Sequence, residues 1–228
     1  MKIDSARALV TGGSSGIGLE TARLLIARGA RVAICGRDRE KLEAAAKEIG
    51  ATAIHADVSV ESEAVDLVAQ VIREFDDYNV LVNNAGFGSF GTLFDLDLAE
   101  MQRVFATNVF GAMVVARESA RHFVAKSYGN IVNVASTAAL RGFANGTAYV
   151  ASKFALHGMT ECWRAELRKS NVRVMQINPS EVQTAFFSER EFNPRKLVAA
   201  DIAQAIVSML ELDDRGFVTE MSVWATNP

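Results

Sequence analysis

Tyr149-Val150-Ala151-Ser152-Lys153 sets a phenol and an ammonium at i and i+4, on one face of a helix and one turn apart. A positive charge beside a phenol favours the phenolate and lowers its pKa from about 10, so such a pair can exchange a proton near neutral pH. Tyr149 is then the acid/base. The stripe continues through Leu156, Thr160, Trp163 and Leu167, a mostly apolar row in which a lysine is out of place, whereas Arg164 and Arg168 fit an outer, solvated face. Lys153 is therefore a functional candidate, with a stem snorkelling to water as the plain alternative. Ser136, thirteen residues before Tyr149, directly follows the apolar run Asn130–Ala135. It stands where a substrate carbonyl could be held, or where a turn needs a hydroxyl. Asn108 interrupts the otherwise non-polar stripe Val104, Gly111, Val115, and a buried amide there needs hydrogen-bond partners.

Short apolar runs with longer amphipathic stretches between them must position these groups. Ala8–Thr11, Arg31–Cys35, Ala53–Ala56, Val80–Asn83, Asn130–Ala135, Val172–Ile177 and Phe217–Val223 read as strands, and their alternation with helices predicts a parallel sheet covered on both faces. Three prolines and no Gly/Ser-rich linker give no point of division, so residues 1–228 are expected to form one domain. Ligands of such sheets bind beyond the strands' carboxyl ends, which points to the loops Gly86–Leu96, Ser136–Thr147 and Pro179–Arg195.

Thr11-Gly12-Gly13-Ser14-Ser15-Gly16-Ile17-Gly18 ends the first strand and opens a helix. Glycines there allow a tight turn and close approach of backbone to a pyrophosphate, and the helix N-terminus offers unpaired N–H groups. The same glycines would also serve strand-to-helix packing alone. The spacing G-x-x-x-G-x-G lacks the Lys-Ser/Thr ending of a P-loop, which excludes an ATPase of that type.

Half of the residues are hydrophobic and 22% are charged, so a real core is expected and disorder is not. Twenty-four Lys+Arg against 27 Asp+Glu give a net charge of −3 without long like-charge runs, which argues against nucleic-acid or anionic-membrane partners. Cys35 and Cys162 form no CxxC or Cys/His cluster, so neither a disulfide framework nor a metal site is expected. The opening residues lack a basic-then-apolar leader, and no apolar run approaches the roughly 18 residues of a membrane span. A cytoplasmic location is expected.

With the glycine turn, Asn83-Asn84-Ala85-Gly86, Ser136, Tyr149-x-x-x-Lys153 and Pro179-x-x-Val182-x-Thr184 in this order, the stretch from Arg7 to Thr184 resembles the short-chain dehydrogenase/reductase family. The resemblance implies a single-domain Rossmann-like, doubly wound α/β fold of about seven mostly parallel strands. It also implies hydride transfer between a nicotinamide and a carbonyl or alcohol. Asn108, Ser136, Tyr149 and Lys153 match the family's catalytic tetrad: Ser136 fixes the carbonyl oxygen, Lys153 holds the ribose and tunes Tyr149, and Asn108 holds a water linking the ammonium to solvent. Gly12, Ser14, Ser15, Gly16, Ile17 and Gly18 match its pyrophosphate turn, Asp57 and Val58 its adenine contacts, and Asn83, Asn84, Ala85 and Gly86 its sheet-stabilising and ribose-contacting motif. Pro179, Val182 and Thr184 match the nicotinamide-side motif, with Ser180 in place of the usual glycine, which leaves the local backbone shape open. As bare sequence, Asp57 is equally a helix cap for residues 59–75.

An acidic residue at the end of the second strand would favour NAD(H); here Cys35-Gly36-Arg37 stands instead, and Arg37, with Arg39 behind it, suits a 2′-phosphate. NADP(H) is expected over NAD(H), with Asp38 as a helix cap. A catalytically idle NADP-binding sensor or interaction module is the alternative, and it would carry a broken tetrad. The tail lacks the D-G-G that ends many relatives, which weakens a specific match to 3-oxoacyl-carrier-protein reductases. The helix through Phe105, Val109, Ala112, Ala116, Ala120 and Phe123 is apolar on two sides, and the Tyr149 helix carries a small-residue stripe, Ala151, Ala155, Gly158, Cys162 and Ala165. Double covering predicts a homo-oligomer, dimer or tetramer, through residues 98–126 and 149–169. The small-molecule carbonyl or alcohol substrate would meet Phe87, Phe90, Leu140, Phe143, Phe186 or Phe187, Arg141, and a short loop at about 185–198.

Overall fold

The computed structural model describes residues 1–184 and 192–226. Strands β1 (Arg7–Thr11), β2 (Arg31–Gly36), β3 (Thr52–His55), β4 (Val80–Asn83), β5 (Gly129–Val134), β6 (Val172–Pro179) and β9 (Glu220–Val223) form one parallel sheet in the order β3-β2-β1-β4-β5-β6-β9. The seventh strand starts three residues later than its apolar pattern predicts.

Alternation along each strand explains the layers. Ala8, Val10, Val80, Val82, Val132 and Val134 point into a cluster closed by Ala22 and Leu25 of α1 (Gly16–Ala27), Leu42 and Ile49 of α2 (Arg39–Ile49), and Ile202 and Ile206 of α7 (Ala199–Glu211). Leu9, Leu81 and Ile131, one residue out of phase, point the other way. They meet Leu67 and Val71 of α3 (Glu61–Glu74) and Val115 and Phe123 of α5 (Ala112–Lys126), with Trp163 and Leu167 of α6 (Thr147–Leu167) alongside. Parallel strands buried on both faces need such continuous apolar runs.

α4 (Leu98–Phe105) continues into α5 through a π-helical turn, Ala106–Gly111. Two short strands, β7 (Val182–Gln183) and β8 (Leu197–Val198), pair beside the sheet's carboxyl edge. Arg164 departs from its expected outer position. Its guanidinium donates to the carbonyls of Val174 and Thr219 at 3.0 and 2.7 Å, because the long stem reaches back to the sheet from the edge of the buried stripe.

Candidate active site

Strand order reverses between β1 and β4, the crevice where open sheets take ligands. A cavity of about 1150 Å³ lies there, running from Arg37 and Asp57 past the glycine turn to Tyr149 and Trp224. Its walls come from the three loops expected to carry the site: Gly86, Phe87 and Phe90; Ser136, Arg141 and Phe143; and Pro179, Val182 and Thr184.

Thr11 organises the glycine turn. Its hydroxyl accepts from the N–H groups of Asn84 and Ala85, both at 2.9 Å, while the Asn84 amide donates to Thr11 O at 2.9 Å and Gly12 O at 3.3 Å. Gly12 and Gly16 have φ of 63° and 55°, a left-handed conformation that glycine adopts without penalty. A Cβ on Gly12 would lie 3.0 Å from the Ala85 backbone. Ser15 begins α1 without a side-chain cap, so the helix's first N–H groups face the cavity with their partial positive charge. These features fit a dinucleotide: Gly12, Ser14, Ser15, Gly16 and Ile17 line the cavity, as do Arg37, Asp57, Val58, Asn84, Ala85 and Gly86.

Gly18 and Asn83 do not line it. A Cβ on Gly18 would meet Gly12 O and the Asn84 amide at 2.5 Å, so this glycine lets the helix close onto the turn. Asn83 is buried and donates to Ala112 O at 2.8 Å, tying β4 to α5. Asp57 is not a helix cap either. Its Oδ1 accepts from Ser59 N and Oγ at 2.9 and 2.7 Å, and α3 begins only at Glu61. Asp38 does cap α2, accepting from Lys41 N at 3.0 Å. Arg39 pairs with Glu43 at 3.7 Å. Arg37 and Lys41 line the cavity and have no carboxylate partner among the described residues.

At the other end, α6 brings Tyr149 and Lys153 to the cavity, with the ammonium 5.7 Å from the phenol ring centre. Lys153 is 5% exposed and donates to Val134 O at 2.9 Å; burial pushes its pKa down to about 8. Tyr149 differs from expectation, because burial outweighs other influences and raises its pKa, with a hydrogen bond to Ser136 lowering it in part. Helical spacing predicts the neighbour but not the desolvation, which acts on both groups. Ser136 Oγ accepts from Ala138 N at 3.1 Å and is 3.4 Å from Pro179 O. Asn108 sits in the π-helical turn, fully buried. Its amide exchanges two bonds with the Phe87 backbone at 3.0 and 2.9 Å and donates to Ser152 Oγ at 3.0 Å. Its partners are thus protein groups that fix the start of the Gly86–Leu96 loop.

Ser180 adopts no left-handed conformation, as no positive φ falls there. Its N–H donates to Val223 O at 2.9 Å, so serine fits where relatives carry glycine. Phe186 and Phe187, and residues 185–191 of the expected substrate loop, lie outside the described residues. Leu140 is exposed and does not line the cavity. Cavity residues that carry no motif include Lys41, Thr107, Glu181, Lys196 and Trp224. Trp224 had a positional signal, since it follows the carboxyl end of the last strand by one residue.

Val109, Ala112, Ala116 and Phe123 are buried, Ala116 and Phe123 in the cluster that contains α3 and Ala112 in the one with Ala139 and Leu156. Phe105 and Ala120 of the same stripe are only partly buried. No helix among the described residues is long and apolar enough to cross a membrane, and no cluster of His, Cys, Asp and Glu among them could hold a metal ion.

A glycine turn on a helix N-terminus, joined by one cavity to a Tyr/Lys/Ser group on a doubly wound sheet, defines a dinucleotide-dependent oxidoreductase. The family pattern described as short chain dehydrogenase matches residues 6–194. An uncharacterized oxidoreductase of Staphylococcus epidermidis is 30% identical over 225 residues, which cover 97% of this chain and 98% of that protein. A metagenomic short-chain oxidoreductase solved in complex with NADP is 32% identical, with a TM-score of 0.87 over 99% of this chain and all of that one. The 3-ketoacyl-(acyl-carrier-protein) reductase from Brucella melitensis, complexed with NADH, is 28% identical with a TM-score of 0.89 over 96% of both chains. The chain belongs to the short-chain dehydrogenase family. It is an NAD(P)-dependent oxidoreductase acting on CH–OH and C=O groups.

Proposed function

We propose that the protein interconverts a ketone or aldehyde with its alcohol using NADP(H), with Tyr149 as the acid/base. One observation carries this reading: a single cavity joins two cations that have no carboxylate partner among the described residues, Arg37 and Lys41, to the Tyr149–Lys153–Ser136 group, with the glycine turn between them. When bound, the nicotinamide supplies or accepts the hydride. Ser136 shares a hydrogen bond with Tyr149 and accepts from Ala138 N–H, so its hydroxyl stands beside the phenol, where a substrate oxygen would bridge the two groups. The Tyr149 O–H gives its proton to that oxygen in reduction and recovers it in oxidation. Lys153, held by Val134 O, supplies the buried positive charge that stabilises a developing phenolate. Asn108 positions the Phe87 loop and, through Ser152, the turn of α6 that carries Tyr149. Pro179, Val182 and Thr184 form the wall for the nicotinamide end.

Arg37 decides the cofactor. Its guanidinium can grip a 2′-phosphate by charge-assisted bonds, and Asp38, engaged with Lys41 N, offers no competing carboxylate to a ribose diol. NADPH is expected to bind more tightly than NADH by fluorescence titration, and Arg37→Ala to weaken NADPH about 10- to 100-fold while sparing NADH. Equal weakening of both would sink the assignment. Binding without turnover on any ketone would favour a sensor instead.

The same reading extends to assembly. Phe110 and Phe154 are 57% and 45% exposed, and Gly158, Cys162 and Ala165 are exposed beside Phe154 on α6. A two-fold contact through these helices would cover them. Light scattering should give a dimer or tetramer mass, and a monomer at micromolar concentration would refute this contact.

A further inference from the structure

We infer that the carbonyl substrate carries a carboxylate, and that Arg141, braced on Trp224, is the residue that binds it. The inference rests on the cavity being the oxidoreductase site proposed above. Arg141 and Trp224 both line that cavity. They reach it from different parts of the chain, one from the loop after Ser136 and the other from the residue following β9. The Arg141 guanidinium lies 4.6 Å from the Trp224 ring centre, a cation–π contact that restrains a side chain otherwise free to sample solvent. A cation–π contact uses none of the guanidinium's five N–H donors, which are left for an acceptor.

Charge at this end of the cavity is unbalanced. Lys196 is neutralised by Glu181 at 3.0 Å, and Lys153 is buried beneath Tyr149 and engaged with Val134 O. Arg141 has no carboxylate partner among the described residues. Aromatic rings lead along the same cavity to the reacting phenol: Phe143 lies 6.2 Å from Phe90, whose ring is 5.6 Å from Tyr149. Phe90 and Phe143 are 44% and 51% exposed, and Trp224 is 50% exposed. Large apolar rings are left in water at a cavity mouth where a ligand covers them. Once covered, they lower the local dielectric and strengthen an arginine–carboxylate pair. A neutral ketone would satisfy the rings and leave the guanidinium desolvated without a counter-charge, which costs affinity. An oxo acid satisfies both, with its carbonyl at Ser136 and Tyr149 and its carboxylate at Arg141.

The test uses NADP⁺-loaded protein, wild type and Arg141→Gln, titrated calorimetrically with benzoylformate and acetoacetate and with the methyl ester of each. Oxidised cofactor and a ketone cannot react, so binding is read without turnover. At least one acid should bind wild type about 10- to 100-fold more tightly than its ester. Arg141→Gln should close that gap while leaving the ester and NADPH affinities unchanged, and Trp224→Leu should close it in part. Acids and esters binding alike, a gap that survives Arg141→Gln, or no binding of any of the four would overturn the inference. NADPH fluorescence on the same samples reports separately on the oxidoreductase reading. Failure to bind nucleotide removes both conclusions, whereas normal nucleotide binding with no acid preference removes only this one.

Discussion

Tyr149→Phe is expected to lower turnover by about 10²- to 10⁴-fold, the usual contribution of one positioned acid/base, with nucleotide affinity unchanged. The ring stays, so its contact with Phe90 at 5.6 Å and its burial on α6 are kept. The proton carrier is lost, together with its hydrogen bond to Ser136. Burial raises the phenol's pKa, which keeps it protonated at neutral pH and suits it to give a proton during carbonyl reduction. Oxidation needs the phenolate. Alcohol oxidation by wild type should therefore gain rate as pH rises above neutral, while reduction should stay flat until the phenol begins to ionise. The variant should lose the alkaline gain. Absorbance at the nicotinamide band, followed in both directions across pH, reads these effects; a variant that keeps wild-type turnover ends Tyr149's assignment.

Lys153→Met should stabilise the cofactor-free protein at pH 7 while abolishing its activity. The ammonium is buried, and its pKa falls from 10.5 to about 8. Below about pH 8 the folded chain carries the full cost of keeping that charge, about 3 kcal/mol at about 1.36 kcal/mol per pKa unit. Losing the bond to Val134 O takes back about 1 kcal/mol, which leaves a net gain of about 2 kcal/mol. For a chain of this size that is a rise in Tm of about 4–8 °C. The sign reverses with pH. Between about 8 and 10.5 the unfolded chain holds a proton that the folded chain has released, so wild-type stability rises across this window. By pH 10.5 wild type should equal or exceed the variant. Thermal unfolding at pH 7 and pH 10 checks this, and a variant less stable than wild type at pH 7 contradicts it.

Most of the sheet was legible because its strands are buried on both faces and read as short apolar runs; six of the seven begin and end within two residues of their patterns. The glycine turn and the Tyr149–Lys153 pair were legible because their chemistry fixes a spacing. What spacing could not convey was direction. Gly18 and Asn83 belong to the same motifs as cavity residues, but the backbone turns them into the packing between helix and strand. Arg164 sits at the border of two helical faces, and only the nearby carbonyls of Val174 and Thr219 decide which one it joins. Burial was equally hidden. It reverses the shift expected of Tyr149.

The π-helical turn at Ala106–Gly111 has a rotational consequence. A π turn carries one residue more than the α-helix around it, and one residue is about 100° of helical rotation. The two halves of the long segment from Leu98 to Lys126 are therefore out of phase with each other. Deleting a single residue here would restore a regular helix that keeps α4 and α5 on their present faces but moves the residues of the turn itself. Asn108 would then lose its grip on Phe87, although nearly every side chain of the site would still be present. The segment acts as a phase-setting washer: its length, more than its composition, aims the amide at the loop beside Tyr149.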